Sequence, residues 1–317
     1  MRSLVHAATA EKYDESNEEA SMPGFTAARG DYTFEDAEGV TIHYYEWRAG
    51  NPKAIVQIVH GLGEYATRYE DLAQALVAAG YTVYAGDLRG HGQTGLQQWG
   101  HDTTRLGRLG PGGVRATIAG IQQLSGIAHA EHPKLPLVLL GHSLGSIFAQ
   151  MILNDDASPY TAAVLSGTPY RTLRHMNSGD LSKRHRLPGG TGTEWLSRDP
   201  DVWTRFAADP LTFDAKAAKL FGVRDGMRLL GRPTKLNRDL PLLILIGSED
   251  PLGGPKSVEL LAKAYRGRGG LSDVVVKIYD EGRHEMFNEI NRAEVIADLV
   301  AWLDAKATAA APGTATR

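Results

Sequence analysis

The apolar run LPLVLLG at 135–141 is followed at once by His142, Ser143, Leu144, Gly145 and Ser146. A serine with a glycine two residues away on each side can be forced onto a sharp strand-to-helix turn that exposes its hydroxyl, and Gly141 and Gly145 occupy those two places. Alone, the pattern also fits an ordinary strand ending in a flexible turn. Ser143 gains meaning only if the chain also supplies a base to take its proton and an acid to orient that base.

One known chain order for such a triad is Ser, then Asp or Glu, then His. Of the 11 histidines, only His284 lies beyond residue 185. It sits in YDEGRHEMFNE, after the apolar run 273–279 and before the last helical pattern, so it should project from a loop at the carboxyl edge of a sheet. The competing reading is a surface histidine at the start of that helix. The run LPLLILIG at 240–247 ends in Ser248, Glu249, Asp250 and Pro251. Asp250 is the preferred acid, one step further into the turn and held by the following proline; Glu249 is second, and Asp-Pro is also plain turn chemistry. Acyl transfer further needs N–H donors for the oxyanion of the tetrahedral intermediate. Leu144, directly after the serine, offers one, and HGLGE at 60–64 places glycines so that the N–H of Leu62 can offer another.

Other conspicuous residues read as structural. GRLGPGG at 107–113 follows no strand and lacks the Gly-Lys-Ser/Thr ending of a phosphate cradle. His129 and His132 lack H-E-x-x-H spacing, read as solvent-facing, and give no metal site. Glu64 and Arg68, four apart, read as a helix-surface ion pair. Asp87 and Arg89 read as hydrogen-bonding groups of the loop that contains them.

These residues need a scaffold. Runs at 54–60, 81–87, 135–141, 161–167, 240–247 and 273–279 are apolar on both parities, as strands buried on both faces of a parallel sheet must be. Helical patterns at 68–80, about 113–131, 144–154, 256–266 and 289–305 separate them, and 31–36 with 41–47 reads as a hairpin turning at Glu38 and Gly39. The predicted fold is α/β, a mostly parallel sheet flanked by helices. Residues 29–167 and 237–308 form the core, 1–28 a disordered leader and 309–317 a flexible tail. The stretch 168–236 contains no buried-strand run and reads as an inserted helical cap. Within it Phe213, Ala217, Leu220, Met227 and Leu230 make a stripe at roughly helical spacing. The stripe fits packing onto the core better than a lipid-facing lid, with transient membrane contact through the cap left open.

Bulk composition excludes several classes. The 317 residues include no Cys, which removes disulfides and thiolate chemistry, and the net charge of -3 gives no reason to expect nucleic acid or an anionic membrane as partner. No secretory h-region and no bilayer-length apolar stretch is present, so a soluble cytoplasmic chain is expected.

Four blocks together resemble one family. They are HGLGEYATRYEDLAQALVAAGYTVYAGDLRGHGQT (60–94), PLVLLGHSLG (136–145), LSRDPDVWTRFAADPL (196–211), and LLILIGSEDPLGG with GRHEMFNE. The chain is similar to the monoacylglycerol lipase and lysophospholipase branch of the α/β-hydrolases from about residue 30 to 305. The resemblance implies Ser143, Asp250 and His284 as triad, Leu62 and Leu144 as oxyanion donors, and a lid over an acyl pocket. Tyr65 stands where the family has His, and Leu144 and Ser146 where it often has Met and Gly. The function implied is a cofactor-independent serine ester hydrolase, preferring a monoacyl lipid ester. Small alkyl or aryl monoesters come next. A serine aminopeptidase gripping an amine through Glu194, Asp199 or Asp209 is a further alternative, and a non-catalytic binding protein the last.

Overall fold

Residues 27–214 and 217–307 are described by the computed structural model, so residues 1–26 of the expected leader and the expected tail lie outside the described part. Eight strands are present: β1 (Arg29–Glu35), β2 (Thr41–Trp47), β3 (Ala54–Val59), β4 (Tyr81–Gly86), β5 (Leu137–His142), β6 (Ala162–Ser166), β7 (Leu242–Gly247) and β8 (Val274–Tyr279). They form one sheet in the order β1-β2-β4-β3-β5-β6-β7-β8. The β1–β2 and β2–β4 pairs are antiparallel, and the pairs from β4 through β8 are parallel.

Alternation along each parallel strand sends successive side chains to opposite faces, and both faces are covered on β3 to β7, while the edge strand β8, expected to be buried on both faces, is only partly covered. On β7, Leu242, Ile244 and Ile246 enter one core while Leu243 and Leu245 enter the other. The first core is closed by α3 (Gly113–Glu131), α4 (Leu144–Asp155) and α7 (Gly254–Ala264), the second by α1 (Glu70–Ala78) and α8 (Arg292–Lys306). Phe148 and Ile152 of α4 and Leu299 and Leu303 of α8 are fully buried, each side chain contributing about 1.5–3 kcal/mol. One polar residue breaks the pattern inside β3. Gln57 is satisfied there by donating to the Ile121 carbonyl and accepting from the Ser125 hydroxyl.

Strand order fixes where a site can form. The parallel strands run outward from β3 in two directions, to β4 on one side and β5 on the other, and crevices open beyond the carboxyl ends of strands at such a reversal. His60–Glu64 follow β3 and Ser143 follows β5.

A short helix, α2 (Gly92–Gln98), lies beside β2 in a stretch without a helical pattern of apolar residues. Asp87 shapes the approach to it, accepting from the Gln93 and Ala66 amides and the Tyr45 hydroxyl. Arg89 pairs with buried Asp36 and donates to the Leu109 carbonyl, so both residues hold the loop, as expected.

Between β6 and β7 the chain makes α5 (Pro200–Ala208) and α6 (Ala217–Arg228). Asp199 caps α5 by accepting from the Asp201 amide, and Pro200 fills the first helical position, where no N–H is needed. The expected continuous stripe is corrected. Helix α6 is interrupted at Gly222 (φ 67°, ψ -178°), which rotates the second half away from the first, leaving Met227 60% exposed while Leu229 is buried.

Candidate active site

Ser143 stands at the junction of β5 and α4 with φ 52°, a positive value rare for a residue bearing a side chain. The turn requires its glycines. A Cβ on Gly141 would lie 2.5 Å from the Gly145 carbonyl oxygen, and one on Gly145 would lie 2.0 Å from that of Val59. The serine N–H donates to the Ser166 carbonyl at the end of β6, tying the turn to its neighbour strand.

His284 lines the same pocket as Ser143 and pairs with Asp250. The His284 Nδ1 lies 3.0 Å from Asp250 Oδ2, and both side chains are fully buried. The Asp250 carboxylate also accepts from the Leu252 amide. Burial, the largest single influence, lowers the imidazole pKa; the Asp250 charge and hydrogen bond, then Glu285 and Glu64, raise it, and the net shift is upward. The other ring nitrogen, Nε2, is buried and has no hydrogen-bond partner among the described residues. Gly167 lets this ring approach, since a Cβ there would stand 3.1 Å from His284 Cε1. Glu249, the second candidate acid, instead pairs with Arg184, and its carbonyl meets His185.

The loop after β3 abuts the serine. A Cβ on Gly61 would lie 3.0 Å from Ser143 Cβ. His60 fixes this loop, its Nε2 accepting the Leu88 amide and its Nδ1 facing the Gly61 carbonyl. Burial and the nearby His91 hold His60 well below the usual histidine range, which keeps it neutral and able to accept. Glu64 Oε1 accepts the Gly61 amide at 2.6 Å and the Tyr69 hydroxyl at 2.8 Å. Among the described residues the amides of Leu62 and Leu144 donate no hydrogen bond, and both residues line the same pocket as Ser143 and His284.

The expected surface pair Glu64–Arg68 is therefore corrected. Glu64 is buried and the Arg68 side chain is 13% exposed, and Arg68 bridges Glu64 at 3.0 Å to Glu285, the residue after His284, at 3.1 Å. Burial pushes the Glu64 carboxyl up to about 6, against the opposing pull of Arg68. Four-residue spacing identifies neighbours on a turn, but the partner that buries this pair arrives 217 positions later.

The pocket encloses about 1220 Å³ including its open mouth, with Leu62, Ile147, Trp195, Leu196, Phe206 and Phe213 among its walls. Most of the apolar lining comes from the segment between β6 and β7. Trp195 lies against His284 with ring centres 4.8 Å apart, a contact with no sequence signal beyond its aromatic type. On the other side His142 packs 4.8 Å from the same imidazole, and burial together with His284 holds it well below the usual histidine range. Glu194, Asp199 and Asp209, considered for gripping an amine, do not line this pocket. Glu194 accepts from the Gly192 amide, and Asp209 from the Tyr65 hydroxyl.

Far from the pocket, Glu46, Glu131 and His132 offer ligand atoms within 4.8 Å of one another. The Arg48 guanidinium already pairs with both carboxylates. His132, expected to face solvent, is half-buried with its ring against Tyr84. No helix among the described residues is long and apolar enough to cross a membrane.

A serine on a strained strand-to-helix turn, beyond a parallel sheet covered on both faces and beside a buried imidazole–carboxylate pair, defines an α/β-hydrolase. The model of the family described as "Serine aminopeptidase, S33" matches residues 50–291. The monoacylglycerol lipase of Mycolicibacterium smegmatis is 30% identical over 292 residues, spanning 88% of this chain and 98% of that protein. The monoglyceride lipase of Mus musculus is 26% identical over 318 residues, 93% of this chain and 98% of that one. A thermostable carboxyl esterase from Bacillus coagulans, solved in complex with glycerol, shares the fold with a TM-score of 0.77 at 22% identity, over 89% of this chain and 99% of that chain. The chain belongs to the serine aminopeptidase S33 family of α/β-hydrolases, in its monoacylglycerol lipase-like branch.

Proposed function

We propose that this chain is a serine carboxylic ester hydrolase that cleaves monoacyl lipid esters through an acyl-enzyme. Ser143 attacks the ester carbonyl, and His284 Nε2 takes its proton and returns it to the leaving alcohol. Asp250 holds the imidazole and stabilises the imidazolium. The Leu62 and Leu144 amides receive the oxyanion. Water, activated by the same imidazole, then releases the fatty acid and restores the serine.

The observation that supports this reading best is the unequal treatment of the two nitrogens of one buried ring. Nδ1 is held by Asp250, while Nε2 has no partner among the described residues in the pocket that Ser143 lines. A ring satisfied at one nitrogen and open at the other is poised to shuttle a proton.

Substrate class follows from the walls and the relatives together. Apolar side chains over the serine suit an acyl chain, and both relatives described above are lipases by name. Residues 168–236 act as the cap that supplies this wall, over a core of 29–167 and 237–308.

Hydrolysis by wild type and Ser143→Ala tests the reading across monoacylglycerols, lysophospholipids, short monoesters and aminoacyl arylamides. Turnover of a monoacyl ester, with a loss of about a millionfold in kcat in the variant, is expected. Turnover of the arylamides alone would replace the proposal with a peptidase, and equal inertness of both proteins would leave a binding scaffold.

A further inference from the structure

Net charge conceals a strong segregation. Residues 168–236 hold 13 Lys and Arg against 7 Asp and Glu, a surplus of +6, so the rest of this chain of net -3 carries -9. Clustered charge of one sign raises the local concentration of ligands of the opposite sign.

A second, open cleft of about 730 Å³ including its mouth lies beside the catalytic pocket. The two are adjacent, with Met176, Asn177, Ser178, Gly179 and Leu252 lining both. Their charge differs. Glu64, Asp180, Asp214 and Glu285 line the catalytic pocket, whereas the second cavity has no carboxylate side chain among its lining residues and instead holds Arg174, Lys256 and His175. Arg174 and Lys256 are exposed and make no ion pair among the described residues. The cavity draws them from two distant parts of the chain, Arg174 from the loop after β6 and Lys256 from the first turn of α7.

Resting on the ester-hydrolase reading above, we infer that this cavity is a subsite for the phosphate of the substrate's head group, which makes anionic lysophospholipids the preferred esters. With the acyl carbonyl at Ser143, the glycerol leaving group passes the shared polar wall at Asn177 and Ser178. A phosphate one glycerol further on then reaches Arg174 and Lys256, whose N–H donors match its oxygens. A neutral monoacylglycerol occupies only the catalytic pocket. The cations act in substrate binding and take no part in bond breaking.

The test compares 1-octanoylglycerol with 1-octanoylglycerol 3-phosphate, both as monomers, using wild type and the double variant Arg174→Glu/Lys256→Glu. Wild type is expected to prefer the phosphate ester in kcat/KM, the preference shrinking as salt is raised. The double variant is expected to lose about tenfold or more on the phosphate ester and less than about twofold on the neutral one. Inorganic phosphate should compete with the phosphate ester alone. A wild type indifferent to the phosphate, or a variant that weakens both esters equally, overturns the subsite while leaving ester hydrolysis intact. A preference seen only on phosphatidylglycerol-containing vesicles also overturns it, because the charge then serves surface attachment. If neither ester is cleaved, the reading on which the subsite rests falls with it.

Discussion

The Trp195 indole and the His284 imidazole lie 4.8 Å apart, ring centre to ring centre, inclined at 42°. An imidazolium so close to an indole quenches its fluorescence, which makes Trp195 a reporter of the protonation of His284. Emission should fall as pH is lowered through a midpoint above 6.5, the direction in which Asp250 moves the imidazole. Trp195→Phe should remove that transition from the emission titration; its persistence in the variant would assign it to another of the 5 tryptophans.

The pH–rate profile follows from the same shift. In the proposed mechanism proton abstraction needs neutral His284, and its pKa is raised above 6.5, so kcat/KM should rise with pH through a limb lying above 6.5. Asp250→Asn removes the main influence that raises it and leaves burial to lower it. The limb should move to lower pH while the plateau drops by about 10⁴-fold. The sign for stability is the converse. A raised histidine pKa stabilises the fold fully below its unfolded value and loses that contribution as pH rises through the folded value.

Glu64 holds the loop after β3, the proposed oxyanion loop, through the Gly61 amide. Replacing it by Ala frees that amide and should lower kcat by up to about a hundredfold with little change in KM, because a loop shifted by about 1 Å misplaces donors needed in the transition state. Glu64→Gln retains an oxygen for Gly61 and Tyr69 and should recover most of the loss. Equal loss in both variants would show that the charge, not the hydrogen bond, matters.

Gly145→Ala is expected to be the most damaging single-methyl change in the elbow. The new Cβ would stand 2.0 Å from the Val59 carbonyl oxygen, a clash with backbone that no rotamer relieves. Overpacking costs about 1–3 kcal/mol in ordinary cores, and denaturant unfolding should show a loss at or beyond the top of that range.

Glu289 is wholly buried and accepts from the Arg198, Arg283 and Ile290 amides and from the Arg198 guanidinium. Glu289→Ala strands those donors and should cost about 3–5 kcal/mol in urea unfolding. A loss below about 1 kcal/mol would mean that water replaces the carboxylate there.

The core was legible because a strand covered on both faces must be apolar on both parities, and β3 to β7 announce themselves that way; β8 carries the same pattern but lies at the sheet edge, with Ile278 40% exposed. The placement of Ser143, Asp250 and His284 beyond the ends of β5, β7 and β8 was legible because each follows an apolar run. What escaped was whatever depends on a distant partner. Arg68 looked like a surface residue until Glu285 closed over it, and Trp195 could not be matched to His284 from spacing. The stripe from Phe213 to Leu230 failed for a local reason, since one left-handed glycine resets the helical phase and periodicity counts through it. The charge surplus of 168–236 could have been counted from the sequence but was averaged away by the whole-chain value.

The segment 194–198 is sewn to the loop that bears His284. The Arg283 side chain donates to the Glu194 and Ser197 carbonyls, Glu285 donates its amide to the Leu196 carbonyl, and Arg198 grips Glu289. Such an insertion is not an interchangeable cassette. A chimera that imports the residues between β6 and β7 from a relative would have to import 283–289 as well, and recombination between two such sequences should yield working offspring only when both stretches come from the same parent.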